Sequence, residues 1–194
     1  MASSNTKRKD KSEISENELY NTPLIALESL DTQFPEVFAQ YTHYYDPCSG
    51  LGAISSFLKG MGKTVITGDL IDYGYQDSVG DFLAVSKLPK SLSSVSSCIV
   101  MNPPFTLTKE FVDHSLKLCD NVLMFNRMVT IESKYRANKF KSGEWDLDTM
   151  YQFGFRVSCT KGVDMEPTAN SVAYSWFDIK RFKGIEGARL KWIT

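Results

Sequence analysis

The chain has 194 residues, a formal net charge of -1 and a sequence isoelectric point near 6.1. That length suits one domain able to bury its own core, and the near-neutral balance excludes a generally basic surface, leaving any nucleic-acid contact to local patches. The absence of an apolar run of about 18 residues and of an apolar leader predicts a cytoplasmic, soluble protein with no membrane span, while four scattered cysteines without a CxxC pair and only two histidines predict no metal site and no disulfide framework.

Residues 1–17 are polar and read as a disordered tail, with Lys7-Arg8-Lys9 a solvated basic cluster. The rest, 18–194, is expected to form a single folded unit. Tyr41–Tyr45 reads as a first strand, ending at Asp46, and a small-residue turn leads into a helix over Leu51–Met61. Lys63–Thr67 is a second strand closing at Gly68-Asp69, and a short third strand ends near Asp81. Ser97–Met101 (SCIVM) is a buried-type strand running into Asn102-Pro103-Pro104-Phe105. Thr106–Cys119 has helical periodicity, with Phe111, Ser115 and Leu118 on one side, and Asn121–Phe125 is a further strand. Arg127–Lys141 reads as a basic helix or ordered loop. Tyr151–Thr160 and Val172–Phe182 are β-rich and adjacent, implying an antiparallel hairpin at one sheet edge, followed by Arg189–Ile193. Alternating strand and helix implies an α/β fold: a mostly parallel sheet with helices on both faces. Ligands of such sheets sit beyond the carboxyl ends of the strands.

Two of those strand ends carry chemistry. Asp46-Pro47-Cys48-Ser49-Gly50-Leu51-Gly52 is a turn whose small residues admit a ligand close to the backbone. It is not GxGxxG, so a dinucleotide pyrophosphate is disfavoured. An acid at the strand end suits a cationic ligand, and the sulfonium and ammonium of S-adenosylmethionine fit. Asp69, after the second strand, is placed to accept both ribose hydroxyls, with Asp72 a weaker candidate. Asp81 is placed to take the adenine amino group, and Phe82 to pack on the purine. Three acids at successive strand ends behind a small-residue turn point to a nucleoside cofactor.

Asn102-Pro103-Pro104-Phe105 supplies a reaction centre. Two prolines stiffen the turn and remove two backbone donors. The Asn102 side-chain oxygen and the Pro103 carbonyl are then fixed acceptors for the two hydrogens of one –NH2 group. Accepting those hydrogens localises a conjugated lone pair and stabilises the positive charge that develops on nitrogen, without a metal. Phe105 offers a flat face for an extruded base.

Together DPCSGLG and NPPF resemble the first and fourth motifs of the S-adenosylmethionine-dependent amino-group methyltransferases. Tyr20-Asn21-Thr22-Pro23 resembles the YxTP element ahead of that first motif in N6-adenine DNA methyltransferases. The stretch from Leu123 through Arg136 to Phe140, with Tyr174-Ser175-Trp176-Phe177, resembles small phage-encoded adenine methyltransferases. The resemblance spans about residues 19–194. It implies a Rossmann-like seven-stranded sheet with its last strand antiparallel, and a site-specific adenine DNA methyltransferase in the host cytoplasm. It assigns cofactor binding to Tyr20, Thr22, Asp46, Cys48, Gly50, Asp69 and Asp81, and the target amine to Asn102, Pro103 and Phe105. Two departures are visible: no room for a separate target-recognition domain, and Cys48 where a small residue is usual.

DNA is the expected partner. Arg127, Lys134, Arg136, Lys139 and Lys141 offer phosphate contacts, Arg127 and Arg136 foremost, whereas Lys180, Arg181 and Lys183 read as a solvated hairpin. RNA adenine or a protein glutamine amide is the alternative target of the same chemistry. A non-catalytic cofactor-binding module is a third reading, which the intact tetrapeptide disfavours.

Overall fold

A computed structural model describes residues 18–168, 172–181, 184 and 187–194. The expected tail with Lys7-Arg8-Lys9, and Phe182 and Lys183, lie outside the described residues. The strands in chain order are β1 (Tyr20–Asn21), β2 (His43–Asp46), β3 (Thr64–Asp69), β4 (Ser78–Val79), β5 (Ser97–Met101), β6 (Asn121–Arg127), β7 (Asp146–Phe153), β8 (Thr160–Lys161), β9 (Glu166–Pro167), β10 (Tyr174–Lys180) and β11 (Arg189–Ile193). Eight of them form one sheet in the order β11-β7-β10-β6-β5-β2-β3-β4. Every neighbour pair is parallel except those of β10, which runs antiparallel to both β6 and β7.

The central strands are apolar because both of their faces are covered. Alternation along β5 and β6 divides them between two cores. Cys98, Val100, Leu123 and Phe125 face one side, where α1 (Leu24–Gln33), α2 (Glu36–Ala39) and α3 (Ala53–Gly60) supply Leu27, Leu30, Phe38 and Leu58. Ile99, Met101, Val122 and Met124 face the other, against Phe111, Val112 and Leu116 of α4 (Thr108–Leu118) and against Trp145, which follows α5 (Lys134–Ser142). The Trp176 indole donates to the Ala26 carbonyl at 2.9 Å, pinning α1 to the sheet.

The α/β reading with a mostly parallel sheet holds, and three details differ. The sheet has eight strands, not seven, because β11 adds parallel to β7. The antiparallel strand is therefore not the last, and the late strands do not make an edge hairpin, since β10 inserts between β6 and β7. Finally, β7 begins five residues before the expected Tyr151. Its first half, Asp146-Leu147-Asp148-Thr149, is polar and hides the strand. The neighbour strand explains that polarity, because Arg189 of β11 pairs with Asp148.

Lys180 is a further correction. It was read as solvated, yet it is buried, with Nζ 2.8 Å from Asp178 Oδ1 and donating to the Tyr41 hydroxyl at 3.0 Å. An interior strand with neighbours on both sides leaves no solvated position, and all seven residues of β10 are buried. Arg181 is tied down as well, donating to the Leu116 carbonyl and pairing with Asp120.

Outside the main sheet, β1, β8 and β9 form a small antiparallel sheet. The β8–β9 excursion lies in the chain between β7 and β10. It grips the segment around Tyr20 through Asn21, whose side-chain amide donates to Gly162 O at 3.0 Å and Thr160 Oγ1 at 3.3 Å. Among the described residues no helix is long and apolar enough to cross a membrane, and no cluster of three or more His, Cys, Asp or Glu is arranged to hold a metal ion.

Candidate functional site

Parallel pairing sets the carboxyl ends of β2, β3, β5 and β6 side by side, so the turns that follow them converge. The turn after β2 is tied to β3 twice by Ser49, whose N–H and hydroxyl donate to the Gly68 carbonyl at 3.0 and 3.1 Å. Gly50 has φ 52° and Gly52 φ 82°, both in the left-handed region that glycine adopts without penalty. Both glycines also make room for neighbours. A Cβ on Gly50 would lie 2.8 Å from Leu19 Cδ1, and one on Gly52 would lie 2.5 Å from the Tyr75 hydroxyl.

Tyr75 and Gln76, which the sequence reading passed over, close this turn. The Tyr75 hydroxyl is shared between the Gly50 and Ser49 carbonyls at 2.9 and 3.2 Å, and Gln76 Nε2 donates to Gly50 O at 3.0 Å. Neither residue carries a periodic or motif signal, and only the fold of the loop after β3 brings them there.

The acids at the strand ends have separate fates. Asp69 braces the turn: Oδ2 accepts the Gly50 N–H at 2.8 Å and Oδ1 the Ile71 N–H at 3.0 Å. Burial raises its carboxyl pKa, and these backbone bonds oppose the rise. Asp72 accepts from Gly74 N in an exposed local turn. Asp81 caps the short 3-10 turn at Phe82–Ala84 through the Leu83 N–H at 3.0 Å. The Phe82 ring is buried against Tyr45, Phe111 and His114.

Asp46 is the exception among the acids. It is 1 % exposed and neither carboxylate oxygen has a hydrogen-bond partner among the described residues. Burial, with the charge of Asp69 adding to it, pushes its pKa up to about 8. The Cys48 N–H acts in the opposite sense but reaches no hydrogen-bond geometry. A buried, unsatisfied carboxyl is costly unless a ligand completes it. Beside a turn of small residues, it fits an ammonium group. The Cys48 thiol lies by the Asn102 N–H, so the first motif touches the second; burial, then Asp46 and Asp69, hold it above the usual thiol range.

In the second motif, Asn102 directly follows β5 and carries an amide whose orientation is decided by its neighbours. Nδ2 donates to the Tyr20 carbonyl at 2.8 Å and to Thr22 Oγ1 at 3.0 Å. A carbonyl only accepts, so the –NH2 group must lie on that side. Oδ1 is left shielded from water with no partner among the described residues. Tyr20 and Thr22, assigned by resemblance to the cofactor, are thus brought to Asn102, while Leu19 beside them meets Gly50. The Pro-Pro turn closes through Leu107 N–H to the Pro104 carbonyl at 2.9 Å, not through Pro103, and leads into α4. Phe105 is half-buried against Tyr20, with ring centroids 4.8 Å apart.

Of the two arginines expected to meet phosphate, the structure brings Arg127 to the Asn102–Phe105 turn, its guanidinium carbon 3.8 Å from the Phe105 ring centroid. Arg136 instead braces the loop before α5, donating to the Val129 and Glu132 carbonyls at 3.2 and 3.5 Å. Lys139 is committed to Glu144 and Asp113, whereas Lys134 and Lys141 are exposed. A cavity of about 500 Å³ between α4 and the α5–β7 turn is lined by Asp113, Leu116, Lys117, Lys139, Trp145 and Arg181, and by none of the motif residues.

Five parallel strands, an antiparallel strand inserted beside them and helices on both faces define the Rossmann-like methyltransferase class of folds. No protein-family model and no curated protein sequence matches the chain. Solved structures share its fold. A candidate RNA methyltransferase from Pyrococcus horikoshii is 14 % identical with a TM-score of 0.59, over 90 % of each chain. The 23S rRNA methyltransferase ErmE is 13 % identical with a TM-score of 0.50, over 92 % of this chain and 72 % of that one. A dimethyladenosine transferase from Plasmodium falciparum is 11 % identical with a TM-score of 0.51, over 86 % and 64 %.

Proposed function

We propose that the chain is an S-adenosylmethionine-dependent methyltransferase acting on a planar exocyclic amino nitrogen, N6 of adenine in DNA. The observation that carries this reading is the Asn102 amide: its –NH2 is anchored by Tyr20 and Thr22, and its Oδ1 stays buried and unpartnered. An oxygen desolvated and held in this way is an acceptor preorganised for an amine hydrogen. The Pro103 carbonyl is the second acceptor, and Phe105 the ring that supports the base. Asp46 and the Ser49–Gly52 turn are the residues that would hold S-adenosylmethionine, which supplies a methyl group on a positively charged sulfur. Asp46 takes the ammonium, and Asp69 shapes the turn and faces the ribose. Adenine in DNA is favoured over other amines by the resemblance of the Tyr20–Pro23 segment and of the C-terminal half to adenine DNA methyltransferases. Adenine in RNA is the first alternative, since proteins of similar fold bear names of RNA methyltransferases.

Incubation of the full chain with methyl-labelled S-adenosylmethionine and, separately, DNA, RNA and protein, followed by nucleoside analysis, tests the reading. Label is expected in N6-methyladenine from DNA. Label confined to RNA or to glutamine moves the substrate, and no transfer to any of the three overturns the function. Within this reading Asp69→Ala is expected to weaken cofactor affinity several-fold, since it loses both the ribose acceptor and the Gly50 tether. Calorimetry on the folded variant showing unchanged affinity removes Asp69 from the site.

A further inference from the structure

Arg127 ends β6, beside the strand that carries Asn102. Its guanidinium lies over Phe105 at 3.8 Å and 5.6 Å from the Tyr20 ring centroid. Tyr174, its partner across the β6–β10 ladder, walls the same space and is itself held by stacking on Phe125 at 5.1 Å and 4°. The Phe105 and Tyr174 centroids are 6.1 Å apart. A guanidinium is planar, weakly hydrated and stacks on rings much as a nucleobase does. It therefore covers one face of Phe105, the ring that is proposed above to support the base. No carboxylate among the described residues pairs with Arg127, and its Nε has no hydrogen-bond partner although shielded from water. The cation is held by ring faces and by the neighbouring Tyr174 hydroxyl, and not by an ion pair, so a better partner can draw it away.

We propose that Arg127 is a specificity-determining residue: it fills the base-stacking face of Phe105 until an extruded nucleotide displaces it, and the displaced guanidinium then binds the phosphate next to that nucleotide. A free base or nucleoside must evict the cation and offers it nothing in return. A nucleotide within a strand supplies the phosphate at the moment of eviction. Arg127 thus sets a penalty on targets outside a polynucleotide, and specificity is gained by penalising the wrong ligand. The identity of the displacing ligand rests on the nucleic-acid reading above; the stacked cation itself does not.

Two measurements on the full chain test this. Arginine side-chain nitrogen NMR without ligand reads the stack directly. An Nε–H signal displaced by the ring current of Phe105, and restored to the usual position by Phe105→Leu, is expected. An undisplaced signal in the parent overturns the proposal whatever the activity. Second, adenosine and a short adenine-containing single strand are titrated into the parent, Arg127→Ala and Arg127→Met, the latter keeping the volume filled if alanine fails to fold. Adenosine affinity is expected to rise roughly 3- to 30-fold on loss of the cation. Affinity for the strand falls several-fold, with its salt dependence reduced by about one phosphate contact. Weaker binding of both ligands, or loss of the strand with no gain for adenosine, overturns the proposal. Methyl transfer is assayed separately, so a chain that methylates nucleic acid but shows either result loses the Arg127 proposal alone.

Discussion

Asn102→Ala is expected to lower the rate of methyl transfer roughly 100-fold or more while leaving cofactor affinity nearly intact. Removing one preorganised polar group at a reacting centre has an effect of that order, and an interaction that strengthens only as charge develops is lost from the rate and not from ground-state binding. The side chain has a second task that must be separated from the first. Its Nδ2 holds the Tyr20 carbonyl and Thr22 Oγ1, so the alanine variant also frees two buried acceptors. A loss of stability of about 1–3 kcal/mol follows from that alone. Thr22→Val removes one anchor while keeping the Asn102 oxygen, and serves as the control. If the two variants lose stability together but transfer at similar rates, Asn102 is a strand cap and the mechanism fails. Single-turnover methylation, thermal melts and cofactor titration on the same proteins decide between these outcomes.

The second large effect is expected at Asp46, and it is pH-dependent. The carboxyl is raised to about 8 in the folded chain, against about 3.9 when unfolded. A raised acid contributes stability that is fully present below the unfolded value and is lost as pH rises to the folded one. The empty protein should therefore lose stability from pH near 4 to pH near 8, and Asp46→Asn should flatten that slope. Cofactor binding should show the reverse trend. Pairing with an ammonium requires the carboxylate, so binding near pH 6–7 is expected to release up to one proton, and affinity should rise with pH across that range. Asp46→Asn should bind on the order of 10- to 100-fold more weakly at pH 7.5, the scale of one lost charge-assisted contact, and release no proton. Calorimetry in buffers of different ionisation enthalpy reads the proton directly. Proton release that persists in Asp46→Asn assigns the titration to another group and removes Asp46 from the ammonium site.

Phe105 and Arg127 show why a candidate site could be proposed but not assembled from residue order. The tetrapeptide Asn102–Phe105 sits between an apolar strand and a helix, and prolines impose much the same backbone in any context. The small residues after Asp46 are equally local in their effect. Both motifs were therefore legible one residue at a time, as were SCIVM and Asn121–Phe125, where runs of apolar or β-prone side chains state their own conformation. The alternation of strand with helix likewise determined a covered, mostly parallel sheet, because no other layer arrangement buries such strands on both faces.

What only the tertiary structure decided were the partnerships between distant residues. Tyr20 and Asn102 stand 82 positions apart and meet because the β8–β9 excursion grips the segment that follows Leu19. That contact settles which way the Asn102 amide points. Gly50 finds Asp69 and Tyr75 only once β3 lies beside β2. The polar first half of β7 is a strand because Arg189 arrives to pair with Asp148, and Lys180 is buried because β10 acquires a neighbour on each side. Local conformation follows from sterics between adjacent residues, which the residue order contains in full. Burial, hydrogen-bond partners and the resulting shift of Asp46 depend on desolvation by groups brought together from across the chain, and those exist only after the sheet has closed.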